Sequence, residues 1–179
     1  MNTLEKIAKS LSTDKGTTHS YLPLYELLFA PFRHSARSIL EIGVADGSSL
    51  LLWEEYFPNA QIVGLDVNEA PKAILGHPRI RHFRGDGYTA VNEGMNAPYS
   101  IMIDDGPHSK ASQEFFCAEY VQLLTQDGIA IVEDIQNRNI VPDLVRKIPP
   151  GYHHVILDFR EVKGRYDDVA LMIFRRTNG

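Results

Sequence analysis

The sequence predicts an α/β protein, a doubly wound, mostly parallel seven-stranded sheet with a short N-terminal helical cap. Three observations carry that expectation. Short apolar, β-rich runs alternate with helix-length stretches, the pattern of a parallel sheet covered on both faces. Glycines or acids follow the ends of these runs, where a doubly wound sheet places its ligands. The last two runs are joined by EVKGRYDD with no helical pattern between them, so they are expected to pair antiparallel as a hairpin.

The elements follow in order. Residues Thr3 to Phe32 precede the first strand: a short helix, then STDKGTTHSY as a turn, then LPLYELLFAPF as an amphipathic helix stopped near Pro31. This segment is expected to cap the sheet, over its ligand crevice. Ser38–Ile42 is the first strand, Ser49–Tyr56 a helix, Gln61–Asp66 the second strand, Ala70–Leu75 a short helix and Ile80–Arg84 the third strand. Tyr99–Asp104 is apolar almost throughout and reads as a strand buried on both faces. Ala111–Leu124 has a helical stripe of Phe115, Phe116, Ala118, Val121 and Leu124. Ile129–Val132 is the fifth strand, and Val141–Lys147 a helix stopped by Pro149-Pro150. Val155–Phe159 and Val169–Phe174 are the final pair. Trp53 is expected in the core or an interface, His153-His154 as structural, and Tyr166-Asp167-Asp168 as a solvated turn.

Composition narrows the function. The 179 residues suit one domain, with residues 1–35 as the cap segment and 36–179 as the core. The net charge of −5 provides no basic field for nucleic acid, and the Arg175-Arg176 pair is short and terminal. The single cysteine, Cys117, lies in an apolar helical pattern and excludes a disulfide framework or a cysteine-based zinc site. The start, MNTLEKIAKS, lacks a signal-peptide apolar region, and no run approaches the roughly 18 apolar residues of a membrane span. A soluble, cytoplasmic protein is expected, with no membrane partner and with a homo-oligomer left open.

The turn after the first strand reads LEIGVADGSS. A glycine-rich strand-to-helix turn brings backbone close to a ligand. Ala45 stands where a dinucleotide fingerprint needs its second glycine, and Asp46 puts a negative charge where a phosphate would sit. Both features disfavour NAD and favour a cofactor without phosphates that carries positive charge. Asp66, about twenty residues on, ends the second strand and can hold ribose hydroxyls. Asp86, in FRGDGYT, is placed to meet an adenine edge. Together EIGVADGSS, LDV and GDG resemble the class I S-adenosylmethionine-dependent methyltransferases, over Ser38 to about Arg176. The resemblance implies that Glu41, Gly43, Asp46, Gly47 and Ser48 lie on the S-adenosylmethionine side of the crevice. It implies the same for Asp66, Asp86, Gly87 and Tyr88.

Two further stretches, IDDGPHS and IVEDIQ, end the fourth and fifth strands. Neighbouring strand ends would gather Asp104, Asp105, Glu133 and Asp134 around one small volume. Like charges this close raise one another's pKa, and a bound divalent cation removes the conflict. Oxygen ligands favour Mg²⁺, Ca²⁺ or Mn²⁺. His108 follows a Gly-Pro turn and can sit beside that cation as a general base. This arrangement resembles the metal-dependent macrolide sugar O-methyltransferases and their cephalosporin hydroxylase-like relatives. The resemblance implies Asp105, Glu133 and Asp134 as metal ligands and His108 as the base, and leaves Asp104 for the cofactor side. TDKGTTHSYLPLYELLF also resembles that group's N-terminal segment, through Asp14, Lys15, His19, Tyr21 and Tyr25, implying a lid or substrate wall. The implied acceptor is a small molecule or glycan bearing adjacent hydroxyls. An NAD(P)-dependent oxidoreductase, a non-catalytic binding module and a metal-dependent hydroxylase are the competing classes.

Overall fold

The computed structural model describes residues 3–11, 13–89, 91, 95 and 98–175. Arg176, one half of the terminal basic pair, lies outside them. The strands are β1 (Ser38–Ile42), β2 (Gln61–Asp66), β3 (Ile80–Arg84), β4 (Tyr99–Asp104), β5 (Leu124–Val132), β6 (Tyr152–Asp158) and β7 (Val169–Arg175). The helices are α1 (Leu4–Ala8), α2 (Asp14–Thr17), α3 (Leu22–Phe29), α4 (Ser48–Tyr56), α5 (Lys110–Glu119), α6 (Val141–Lys147) and α7 (Arg160–Lys163). They form one seven-stranded sheet in the order β3-β2-β1-β4-β5-β7-β6. β1 to β5 run parallel, and β7 is antiparallel to both β5 and β6. This is the doubly wound sheet with a terminal hairpin that the alternating pattern implied.

The period of two along each strand sorts the core into two layers. Ile39, Ile62, Ile101, Ile103 and Ile131 face α1, α3 and α4, where Trp53, Tyr25 and Phe29 pack. Leu40, Val63, Met102, Ala130 and Val132 face α5 and α6, where Phe116, Cys117 and Leu144 pack. All six residues of β4 are buried, as an apolar run between two helical layers requires.

Several boundaries differ from expectation, each for a local reason. The STDKGTTHSY stretch contains a helical turn, α2, whose N-cap Thr13 accepts a hydrogen bond from Lys15 N–H. The Ala70–Leu75 helix shrinks to a 3₁₀ turn over Lys72–Ile74. α5 closes at Glu119, and the chain tightens into a 3₁₀ turn over Tyr120–Leu123. β5 begins at Leu124 rather than Ile129, because Gly128 lets the two backbones approach: a Cβ there would lie 2.9 Å from the Tyr99 carbonyl oxygen. β6 begins at Tyr152, taking in the exposed His153 and His154 on the sheet edge. A four-residue helix, α7, interrupts the β6–β7 connection and ends at Gly164 in the left-handed conformation. The hairpin therefore holds, but with a helical turn at its tip.

Candidate active site

A cleft of about 730 Å³ opens at the carboxyl ends of β1, β2 and β4. That lies within the usual range for a small-molecule or cofactor site, ~300–1,000 Å³. Its floor is the Gly43–Ser49 turn. Gly43 has φ +90°, and a Cβ there would lie 1.9 Å from the Asp105 carbonyl oxygen, so glycine is required where the turn touches the end of β4. Gly47, at φ +87°, caps α4. Asp66 braces the turn: its Oδ2 accepts from Val44 N–H at 2.8 Å and Ala45 N–H at 3.2 Å, and its Oδ1 accepts from Asn68 N–H. Burial works against its charge, but these N–H groups hold the carboxyl below its ordinary range. A ribose would have to share that carboxylate with the turn.

The charge of the cleft is one-sided. Asp14, Asp46, Asp66, Asp86 and Asp105 line it, with Ser48, Gly87, Tyr88 and His108, and among the described residues no lysine or arginine lines it. Such a wall repels a pyrophosphate and attracts a cationic sulfonium. The cleft therefore fits S-adenosylmethionine in volume, in close backbone approach and in charge.

Beneath the cleft, Asp105 joins two acids that do not line it, Glu41 and Glu133. Period-two alternation carries Glu41 of β1, Asp105 after β4 and Glu133 after β5 to the face that holds Ile39, Ile103 and Ile131. Lys15 rises into their midst. Its Nζ lies 3.1 Å from Glu41 Oε1, 2.8 Å from Asp105 Oδ2 and 2.8 Å from Glu133 Oε2, and its side chain is 1% exposed. Trp53 Nε1 donates to the other oxygen of Glu41 at 2.9 Å, and the Tyr25 hydroxyl donates to the other oxygen of Glu133. One ammonium among three carboxylates leaves the group short of positive charge. Burial pushes Glu133 and Glu41 up, while Lys15 pulls both down. Burial would lower Lys15, but its three acids hold it well above the usual range.

Asp134 turns out of the strand pattern at φ +51°. Its Oδ1 accepts from the Tyr21 hydroxyl at 2.7 Å and lies 3.2 Å from His19 Nδ1, which stands equally close to Asp168 Oδ1. His108, at φ +53°, places Nε2 at 3.7 Å from Asp134 Oδ2 and 4.0 Å from Asp105 Oδ1. Ligand atoms of Asp105, His108 and Asp134 all lie within 4.8 Å of one another. The two carboxylate oxygens that face this point fit a hard divalent cation, with the His108 imidazole beside them. Among the described residues the only non-glycine positive φ angles belong to Ala45, His108 and Asp134. Asp and His tolerate this conformation better than most residues, yet all three stand at the turn or the cation site.

The residues expected at the site therefore separate into groups. Gly43, Asp46, Ser48, Asp66, Asp86, Gly87 and Tyr88 line the cleft, while Gly47 caps α4 behind its floor. Glu41 and Asp104, expected on the cofactor side, do not line it. Asp104 is buried on the α5 face, accepts a hydrogen bond from the Tyr88 hydroxyl, and is pushed up to about 7 by burial. Asp105 is thus the member of the acidic pair that stands with His108. Glu133, expected with the metal ligands, has both oxygens engaged by Lys15 and Tyr25. Of the expected lid, Asp14 lines the cleft, whereas Lys15, His19 and Tyr21 are buried and tied to the strand ends. Asp168, expected in a solvated turn, is fully buried against His19, and Asp167 is buried with Arg165; Tyr166 alone of that turn is exposed. The signal was present in the topology: an antiparallel last strand begins at the carboxyl ends of its parallel neighbours, so residues before Val169 arrive at the crevice.

The chain is 33% identical over 144 residues, 74% of its length, to the 8-demethyl-8-alpha-L-rhamnosyl tetracenomycin-C 2'-O-methyltransferase of Streptomyces olivaceus. It is 31% identical, again over 74% of its length, to the mycinamicin VI 2''-O-methyltransferase of Micromonospora griseorubida. It spans 38% and 36% of those two proteins, well under half of either. A methyltransferase of the mycinamycin biosynthetic pathway, solved in complex with Mg and SAH, superposes with a TM-score of 0.68 at 29% identity, over 82% of this chain and 40% of that one. No protein-family model matches the chain. Strand order, glycine turn and these likenesses agree: the chain belongs to the class I S-adenosylmethionine-dependent methyltransferases, with the sugar O-methyltransferases of tetracenomycin and mycinamicin biosynthesis as its homologues.

Proposed function

We propose that the protein is an S-adenosylmethionine-dependent, divalent-cation-dependent O-methyltransferase acting on a hydroxyl of a sugar or similar adjacent diol, in natural-product or polysaccharide biosynthesis. The observation that carries this reading is the continuity of two features. The acidic cleft, lined by no lysine or arginine among the described residues, opens at Asp105 and His108 directly onto the cluster completed by Asp134. The same wall disfavours the NAD(P) alternative, which would bring phosphates against five carboxylates. A non-catalytic module would have no use for the left-handed backbone at His108 and Asp134.

In this reading Gly43–Ser48 and Asp66 hold the cofactor, with Asp86, Gly87 and Tyr88 at its nucleoside end. Asp105 and Asp134 would hold the cation, which when bound would lower the pKa of an acceptor hydroxyl. His108 Nε2, facing both carboxylates, accepts the hydroxyl proton. The oxygen then forms its bond to the methyl carbon as the bond from that carbon to sulfur breaks. Alignment of oxygen, carbon and sulfur by the cleft and the His108 turn supplies much of the rate. The described part of residues 1–35 acts as a wall of this unit. The acceptor is a small molecule or glycan rather than nucleic acid, and no described helix is long and apolar enough to cross a membrane.

The test is methyl transfer from labelled S-adenosylmethionine to a panel of rhamnosides and other diols, with Mg²⁺ and after chelation. Turnover should require the metal. His108→Ala should lower kcat by about 10²–10⁴, with cofactor affinity unchanged within a few-fold. Undiminished turnover in His108→Ala would assign the base elsewhere.

A further inference from the structure

The two carboxylates of the candidate cation site share a pattern that the proposed chemistry does not use. Each has one oxygen facing His108 and the other held from behind by the N-terminal segment. Asp105 presents Oδ1 toward His108 while Oδ2 is held by Lys15 Nζ at 2.8 Å. Asp134 presents Oδ2 toward His108 while Oδ1 is held by the Tyr21 hydroxyl at 2.7 Å. The same Tyr21 oxygen accepts a hydrogen bond from Asp134 N–H at 3.2 Å, so one phenol fixes both the side chain and the left-handed backbone of that residue. Tyr21 is itself immobilised: it is fully buried, stacked between His19 and Tyr25, and edge-on to Phe159. The far side of the segment is clamped by Lys163, whose Nζ donates to the carbonyl oxygens of Gly16 at 2.6 Å and His19 at 2.5 Å.

We infer that Lys15 and Tyr21 are positioning residues for the cation site: the N-terminal segment grips one oxygen of each ligand carboxylate and thereby aims the other at a shared point beside His108. The inference rests on the cation-dependent reading above and adds the residues that orient its ligands. A partner behind a ligand fixes its direction, and losing such a partner typically costs about 10–100-fold in metal affinity. Tyr56 provides a contrast within the same fold. It too is a fully buried ring whose hydroxyl donates to an acid, but that acid is Glu26, at 2.9 Å, on α3 and away from the strand ends.

Tyr21→Phe and Tyr56→Phe are therefore matched deletions of one hydroxyl, each keeping its ring. Mn²⁺ is the probe, titrated into wild type and both variants by calorimetry and by loss of its free-ion EPR signal. S-adenosylmethionine affinity and Tm are measured alongside. Both variants should lose Tm to a similar extent and bind S-adenosylmethionine like wild type. Tyr21→Phe should bind Mn²⁺ about tenfold more weakly, and Tyr56→Phe within about twofold of wild type. Equal Mn²⁺ affinities in the two variants, whether both reduced or both unchanged, would overturn the positioning role even if wild type binds the ion. Absence of Mn²⁺ binding by folded wild type would instead remove the cation site itself, and the inference with it.

Discussion

The open cleft and the buried charge cluster beneath it are built from the same residue type and behave oppositely. In the cleft, Asp14, Asp46 and Asp86 are exposed to solvent, and Asp66 is half-buried with backbone N–H groups that hold its carboxyl below the ordinary range. A few ångströms deeper, Glu41 and Glu133 are sealed from solvent and depend on a single ammonium. The difference teaches that position along a strand end, not the residue itself, decides whether a carboxylate recognises a ligand or fastens the fold. The outer acids give the cleft its field. The inner acids tie the N-terminal segment to β1, β4 and β5 at the one place where the sheet's carboxyl ends would otherwise lie bare.

The sharpest way to break the comparison is at its inner side. Lys15→Met keeps the length of the side chain and removes the charge, leaving buried carboxylates uncompensated. Stability should fall by about 3–5 kcal/mol, read as a large drop in the urea midpoint. A loss under about 1 kcal/mol would mean that the cluster behaves like an exposed pair and that the two regions do not differ as described.

Gly43→Ala addresses the outer side. The added methyl would have to displace the end of β4 and would occupy a strained φ of +90°. Cofactor affinity should fall at least tenfold, about 1.4 kcal/mol or more, with a smaller loss of stability than in Lys15→Met. Unchanged affinity would place the cofactor away from the turn.

The smallest effect belongs to an acid outside both regions. Asp158 is held at about 2 by its hydrogen bonds from Arg160, on an exposed surface. Its folded-state pKa is depressed, so its contribution is fully present above the usual aspartate value of ~3.9 and is lost as pH falls toward about 2. Solvent screening limits that contribution to under about 1 kcal/mol. Asp158→Asn should therefore flatten the acid limb of the stability profile only slightly, which sets the scale against which the buried cluster is read.

Much of the architecture was legible because alternation and glycine punctuation act locally. β1, β2, β3 and β4 lie where their apolar runs stand, since each run is bounded by a glycine, a proline or a charged turn. The site was legible in part. Asp105 and His108 bound a four-residue stretch, and the Gly-Pro turn between them leaves little freedom, so their meeting followed from local spacing. Lys15 did not announce itself. Its three partners lie 26, 90 and 118 positions away in the chain, and nothing local tells a buried lysine from a solvated one. The alternation that sends Glu41, Asp105 and Glu133 to one face could have revealed a shared need for positive charge there. Asp168 was hidden for a similar reason: RYDD has the composition of a solvated turn, and only the antiparallel direction of β7 carries it into the crevice.

The central claim is that the acidic cleft receives a cationic, phosphate-free cofactor and that a cation binds beside it. Calorimetric titration of S-adenosylmethionine and of NADPH into metal-stripped protein, repeated with Mg²⁺, tests it most directly. The account predicts micromolar binding of S-adenosylmethionine with or without Mg²⁺, a separate heat for Mg²⁺ itself, and no binding of NADPH. Binding of NADPH, or silence toward S-adenosylmethionine in both conditions, would contradict it.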